Sequence, residues 1–125
     1  MPAMSMPAVT VVVATPHGRA QLRVLRAVTF PQRLRGLLGR EALTRRYGLW
    51  IEPCRAVHTF GMRAAIDLVF VDRGGLVLRT DARQAPGRVR ICTDARGVLE
   101  LAAGNASRLG LDRPGARLVW PAADD

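Results

Sequence analysis

The sequence contains no lysine, although the protein is strongly basic. All 19 basic residues are arginine, and against 10 acidic residues they give a formal net charge of +9. The excess is one-sided, because residues 1–66 hold ten arginines against two acids, whereas residues 67–125 hold nine against eight. A one-sided basic half is typical of proteins with an anionic partner, and the planar arginine fork binds two phosphate oxygens at once. Codon bias in a GC-rich genome is the alternative explanation.

Aromatic residues are also scarce, at 5 % of the chain, and most stand where a core is expected. Proteins that bind single-stranded nucleic acid usually stack bases on exposed aromatic rings. Nucleic-acid binding through the arginines between Arg19 and Arg63 is therefore retained as an alternative and not favoured.

Long apolar runs are absent as well, since no stretch reaches the roughly 18 residues that a membrane-spanning helix needs. The apolar beginning of the chain has no basic residue before Arg19, which is not typical of a signal peptide. We therefore expect a cytoplasmic protein in which Cys54 and Cys92 stay reduced. A disulfide between these two cysteines is the alternative in an oxidising compartment.

The remaining composition predicts one globular domain. A chain of 125 residues with 49 % hydrophobic residues can bury a core without a disulfide or a metal ion. We predict a flexible tail over residues 1–8, a single domain over 9–121 and a frayed tail over 122–125. Neither a metal nor a cofactor is expected, because Cys54 and His58 alone do not make a zinc site.

Short β-branched or alternating runs predict eight strands. They are Val9–Val13, Ala20–Val28, Tyr47–Ile51, Ile66–Val71, Leu76–Thr80, Val89–Cys92, Val98–Leu101 and Ala116–Trp120. Residues 72–75 predict a hairpin turn with glycine at positive φ, and Asp81–Arg88 predicts a polar loop. The predicted class is α+β, mainly β, with a small antiparallel sheet curled toward a barrel and one or two short helices packed on it.

Two short helices complete the prediction. Thr29 and Gln32 have the spacing of a capping box, so the first helix should begin at Thr29 and end at Gly39. The second is predicted over Ala102–Leu109 and closed by Gly110.

The densest group of reactive side chains lies between Cys54 and Asp67. As a catalytic group, Cys54 would be the nucleophile, His58 the base and Asp67 the residue that orients it. As a structural group, Cys54 would be a small buried hydrophobe and Asp67 a buried anchor for a loop. Buried among apolar residues, Asp67 needs a partner, either an arginine or a backbone turn. Glu100, also between apolar residues, is predicted to face solvent or to pair with an arginine.

A bend at Gly61 could bring residues on both sides of it to one spot, because glycine interrupts the strand propensity there. The predicted ligand-binding residues around this spot are Arg40, His58, Thr59, Met62, Arg63 and Asp67. In this prediction Asp67 pairs with Arg40 or Arg63, and His58 faces the opening.

Four motifs, in order along the chain, resemble the domain of unknown function 192 family. They are RLRGLLGR at 33–40, HTFGM at 58–62, IDLVF at 66–70 and VLELAAG at 98–104. The resemblance spans residues 10 to 120 and implies a compact, mostly β domain with a short helix over the sheet. It implies no activity, because the function of the family is not established. It implies no single compartment either, because some members carry signal peptides.

The leading functional prediction is a non-enzymatic binding or accessory domain with a basic surface for an anionic ligand or a protein partner. The first alternative is a small hydrolase or transferase that uses His58 and Asp67, with or without Cys54. It requires a pocket in which His58 reaches another polar side chain. The second alternative, nucleic-acid binding through the arginine-rich first half, requires steeply salt-dependent association.

Overall fold

The computed structural model describes residues 8–27, 47–62 and 64–122. The predicted first helix, with its cap at Thr29, lies outside these residues. So do Arg40 and Arg63, two of the predicted ligand-binding residues.

Nine strands and one short helix make up the described part of the chain. The strands are β1 (Ala8–Thr15), β2 (Gly18–Ala27), β3 (Tyr47–Ile51), β4 (Ala56–His58), β5 (Ile66–Val71), β6 (Val77–Gln84), β7 (Val89–Ile91), β8 (Gly97–Ala102) and β9 (Arg117–Val119), and helix α1 (Asn105–Leu109) lies between β8 and β9. This confirms the predicted α+β, mainly β class. No helix within the described ranges is long and apolar enough to cross a membrane.

Seven strands form one curled sheet in the order β6-β5-β8-β3-β2-β1-β9. Its two edges approach each other where Leu76 bridges to Arg117 and the Val77 amide donates to the Ala116 carbonyl at 3.0 Å. The sheet is therefore curled toward a barrel, as predicted. One strand pair differs, because β2 and β3 run parallel instead of antiparallel. Parallel neighbours need a crossover connection, and residues 28–46, which provide it, lie outside the described ranges.

The curled sheet packs a hydrophobic core against each face, and β5 divides its residues between them. Side chains alternate along a strand, so Val69 and Val71 enter the first core, which also holds Ala106 of α1. Leu68 and Phe70 enter the second core on the other face. A strand buried on both faces needs apolar residues at successive positions, which explains the apolar run of β5.

Strands β4 and β7 form a separate two-stranded sheet. We call residues 53–62 and 85–92 the arm. The arm packs on the second core through Val57, which is 2 % exposed. The sequence predicts extended structure around Val57. It does not predict the pairing of β4 with β7, because these two strands are distant along the chain.

Two predicted boundaries are wrong by three residues or more. Strand β6 continues to Gln84 where a loop from Asp81 to Arg88 was predicted. The reason is that β6 is an edge strand with much of its surface exposed, so its polar residues resemble a loop. Helix α1 begins at Asn105 and not at Ala102, because β8 continues through Ala102 and Gly104 has a φ of 91°.

The predicted hairpin turn at residues 72–75 is confirmed. The Asp72 carboxylate accepts hydrogen bonds from the Gly74 and Leu76 amides, each at 2.9 Å. Gly75 has a φ of 92°, a conformation that favours glycine.

Candidate functional site

Asp67 is fully buried, and its carboxylate is held by backbone amides. One oxygen accepts from the Arg83 amide at 2.8 Å, and the other accepts from Gly104 at 3.0 Å and Ala106 at 2.9 Å. The contact with Gly104 joins two of the segments that carry the family resemblance. Among the described residues, Asp67 thus has the backbone partners that were one predicted alternative, and it ties β5 to β6 and to the beginning of α1.

The predicted convergence of His58, Met62 and Asp67 does not occur. Asp67 lies on the face of β5 that meets the first core, as its bonds to the α1 segment show. Met62 packs against the second core, on the opposite face. His58 is exposed on the arm, with its ring 5.6 Å from the Phe60 ring. The bend at Gly61 exists, with a φ of 80°, but the alternation of β5 turns Asp67 away from it.

The three side chains considered for catalysis are not assembled into one group. Cys54 is half-buried against the second core and donates its thiol hydrogen to the Ala56 carbonyl at 3.2 Å. Cys54 and Cys92 are both free thiols. Within residues 8–27, 47–62 and 64–122, no three His, Cys, Asp or Glu side chains are placed to hold a metal ion.

Thr59 holds the two strands of the arm together. Its side chain is fully buried, and its hydroxyl donates to the Ala85 carbonyl and accepts from the Arg88 amide, both at 2.8 Å. Thr59 is one of the predicted ligand-binding residues, but its hydroxyl bonds only to the backbone of the arm among the described residues.

Replacing Thr59 with valine should destabilise the protein by about 1–3 kcal/mol, because the Arg88 amide loses a buried acceptor while side-chain volume is nearly kept. The exposed Thr93→Val change is the matched control and should alter the unfolding free energy by less than about 0.5 kcal/mol. Urea denaturation measures both, and equal effects would show that the Thr59 hydroxyl does not hold the arm.

Glu100 is fully buried in β8, between Leu49 and Leu68 of the neighbouring strands. The prediction that it faces solvent is therefore wrong. The alternation of apolar and polar residues suggested an exposed position, but β8 is central in the sheet and covered on both faces. An arginine partner for Glu100 stays a prediction.

A pocket of about 360 Å³ lies elsewhere, at a position where the sequence predicts no site. It forms where the ends of β1, β2 and β3 meet the β5–β6 turn and the segment after β9. We call it the tryptophan pocket, and its principal lining residues are Arg26, Trp50, Glu52, Arg73, Arg96 and Trp120.

Both tryptophans of the chain line this pocket. Their ring centroids are 5.2 Å apart, with an interplanar angle of 59°. Trp50 is only 3 % exposed, and its indole nitrogen donates to Glu52 at 2.9 Å. The guanidinium of Arg26 lies over Trp120, 5.3 Å from the ring centroid, which is a cation–π geometry. The pocket therefore combines fixed aromatic surface with a positioned cation.

The carboxylates of the pocket already have partners. Glu52 accepts from Trp50 and also from Arg96, at 3.1 Å, and Asp72 is held in its turn. Arg26 differs, because its Nε is buried and has no hydrogen-bond partner within the described ranges. Arg73, at the rim, is exposed and forms no ion pair with any described residue. The pocket thus offers guanidinium groups to a ligand, while its own carboxylates are already bonded to other residues.

The protein is thus a small, mainly β domain whose sheet curls toward a barrel. The chain matches the DUF192 family, described as uncharacterized ACR, over residues 12–120, and it belongs to that family. The resemblance inferred from the four motifs is thereby confirmed. No curated protein matches the chain.

Two crystal structures share this fold. A Sinorhizobium meliloti 1021 protein described as a "putative transcription regulator" has a TM-score of 0.81 and 25% identity, and the match covers 94% of this chain and 96% of that one. A protein of unknown function from Novosphingobium aromaticivorans DSM 12444 has a TM-score of 0.80 and 25% identity, with 96% and 90% covered.

Proposed function

We propose that this protein is a binding domain whose ligand is a small anion with a flat apolar face, held in the tryptophan pocket. The observation that carries the proposal is the state of Arg26. Its guanidinium is positioned over Trp120, yet its Nε is buried and makes no hydrogen bond to any described residue. Among the described residues this guanidinium has a ring partner and no carboxylate partner, so its positive charge is available to an anionic ligand group in the pocket.

Charge determines which ligands suit the pocket. An anionic oxygen accepts from guanidinium more strongly than a neutral one, and Arg73 at the rim adds a second cation. The Glu52 carboxylate is already bonded to Trp50 and Arg96, so it competes little for Arg26. A phosphate, sulfate or carboxylate group is therefore favoured over a cationic or neutral group.

Shape and size determine the remainder of the ligand. Tryptophan rings bury apolar surface and pack with flat groups, so a ligand with a planar ring or a sugar face fits the aromatic part of the pocket, beside the Arg26 guanidinium. A volume of about 360 Å³ is near the lower end of small-molecule sites, which run from roughly 300 to 1,000 Å³. This favours a ligand the size of a mononucleotide or an aryl acid over a polymer.

A thermal-shift comparison of matched probes tests the proposal. Each pair shares a ring and differs in charge: adenosine monophosphate with adenosine, phenyl phosphate with phenol, and indole-3-acetate with indole-3-acetamide. At least one charged probe should raise the melting temperature above its neutral partner, because a ligand at 100 times its dissociation constant stabilises by about 2.7 kcal/mol. If every charged probe behaves like its neutral partner, the proposal is wrong.

A further inference from the structure

A second pocket, of about 410 Å³, shares no lining residue with the tryptophan pocket. One of its walls is the hairpin turn between β1 and β2, and the other is the end of α1 with the turn that follows it. We call it the hairpin pocket, and its principal lining residues are Thr15, His17, Arg19, Arg108, Leu109 and Arg113.

The hairpin pocket is built on the first core, which fixes its shape. Val13 and Leu109 line the pocket and are both buried in that core. The two walls touch each other, since a Cβ added at Gly110 would lie 3.3 Å from Thr15 Cγ2. The Thr15 hydroxyl accepts from the His17 amide at 3.1 Å, which helps to hold the hairpin turn. A ligand would therefore meet a preformed site, which lowers the entropy lost on binding.

Three arginines line the hairpin pocket, and no acidic residue lines it within the part of the chain that the structure describes. Arg19 comes from the hairpin wall, and Arg108 and Arg113 come from the α1 wall. The Arg108 guanidinium is oriented, because its Nε donates to Asn105 Oδ1 at 2.9 Å. The stem of Arg113 lies beside Gly110, where an added Cβ would be 3.8 Å from Arg113 Cδ. Arg19 and Arg113 form no ion pair with any described residue, so both cations are available to a ligand.

Capping of α1 does not account for these arginines. Basic side chains near the end of a helix often bond to its last carbonyls. Here backbone amides already do so. The Leu111 amide donates to the Ala106 carbonyl at 2.8 Å, and the Gly110 amide donates to the Ser107 carbonyl at 3.1 Å. Like charges around one pocket repel each other, and an anion between them replaces that repulsion with attraction.

The arrangement of the arginines favours a phosphate over a carboxylate. They come from two walls, so a ligand that meets both walls must accept hydrogen bonds from more than one direction. A phosphate group has three strong acceptor oxygens in a tetrahedral arrangement, whereas a carboxylate has two in one plane. Neither tryptophan lies at this pocket, so a flat apolar group gains less here than in the tryptophan pocket.

We propose that the hairpin pocket binds the phosphate group of a small ligand, with Arg19 and Arg113 as its principal partners. Arg113 donates from the α1 wall and Arg19 from the hairpin wall, so the bound phosphate joins two segments that are far apart along the chain. Arg108 adds a third positive charge, oriented by Asn105. This site is independent of the tryptophan pocket, because the two pockets have no residue in common.

Isothermal titration calorimetry with inorganic diphosphate, at constant ionic strength, tests the proposal. Binding should be saturable, and the dissociation constant should rise roughly tenfold or more in Arg113→Gln and in Arg19→Gln. Arg88→Gln is the matched control, because Arg88 is exposed and lines neither pocket, and it should keep the wild-type affinity. Melting temperatures of all three variants should stay near that of the wild type, because the replaced side chains are exposed.

Two comparisons separate this site from the tryptophan pocket. Diphosphate should bind Arg26→Gln as tightly as it binds the wild type. It should also leave the tryptophan emission unchanged, because both tryptophans line the other pocket.

Four results would overturn the proposal. The first is the absence of saturable diphosphate binding, including the case in which only duplex DNA binds. The second is equal weakening in Arg88→Gln, which would show attraction by net charge alone. The third is a loss of affinity in Arg26→Gln with none in Arg113→Gln, which would place the anion in the tryptophan pocket. The fourth is equal affinity for malonate, which carries two carboxylates and no phosphate.

Discussion

Replacing Asp67 with alanine is expected to lower the free energy of unfolding by about 3–5 kcal/mol. The change leaves three backbone donors without their acceptor, one of them buried, that of Ala106, and two partly buried, those of Arg83 and Gly104. Each unsatisfied buried donor costs about 1–3 kcal/mol, and partial relaxation keeps the total below the simple sum. Asp67→Asn should cost less than Asp67→Ala, because the remaining side-chain oxygen of asparagine still accepts. It should still destabilise the protein, because the asparagine NH2 group is a donor and would face a backbone N–H, which is also a donor.

Two variants serve as controls for Asp67→Ala in urea denaturation. Asp112→Ala removes an exposed carboxylate and should change the unfolding free energy by less than about 0.5 kcal/mol. His58→Ala should also have a small effect, because His58 is exposed on the arm. A mild Asp67→Ala beside a severe His58→Ala would reverse the structural roles assigned to these two residues.

The second large effect is expected for Gly97→Ala, which should destabilise the protein by about 3 kcal/mol. A Cβ at this position would overlap the buried Trp50 ring, with Cη2 only 2.6 Å away, and would lie 2.9 Å from the Ile51 carbonyl oxygen. Overpacking a core typically costs about 1–3 kcal/mol, and the upper end applies because one obstacle is backbone.

Gly97→Ala should also shift the tryptophan emission, because Trp50 must move to admit the methyl group. Gly74→Ala is the matched control, since its nearest side-chain contact would be an ordinary 3.6 Å from Asp72. It should leave both the stability and the emission close to those of the wild type. Equal stabilities for the two variants would show that Trp50 is not packed tightly against Gly97.

The sequence predicts strands well where burial is complete and poorly where it is not. The bounds of β3 and β5 agree with their predictions because both are apolar runs that end in turn residues. The last part of β6 was assigned to a loop because an edge strand carries polar residues on its exposed side. The parallel pairing of β2 with β3 depends on a crossover, which strand periodicity does not encode.

The candidate site shows a different limit. Nearness along the chain suggested that His58, Met62 and Asp67 converge, but Asp67 lies on the opposite face of β5 from Met62. The tryptophan pocket depends on Trp50 and Trp120, which stand far apart in sequence and meet only because the sheet curls. The sequence held one signal of this pocket. Trp120 ends a predicted strand, and Trp50 lies next to the end of another.

Ligand binding in the tryptophan pocket is the central claim, and a tryptophan fluorescence titration tests it most directly. Because both tryptophans of the chain line the pocket, their emission reports on that place alone. The titration uses the charged probe with the largest thermal shift and compares the wild type with Arg26→Gln and with Arg113→Gln, which lies outside the pocket. The probe should quench the emission in a saturable way. Its dissociation constant should rise roughly tenfold or more in Arg26→Gln and stay unchanged in Arg113→Gln, consistent with the loss of a charge-assisted hydrogen bond. Equal affinities in all three proteins would contradict the claim.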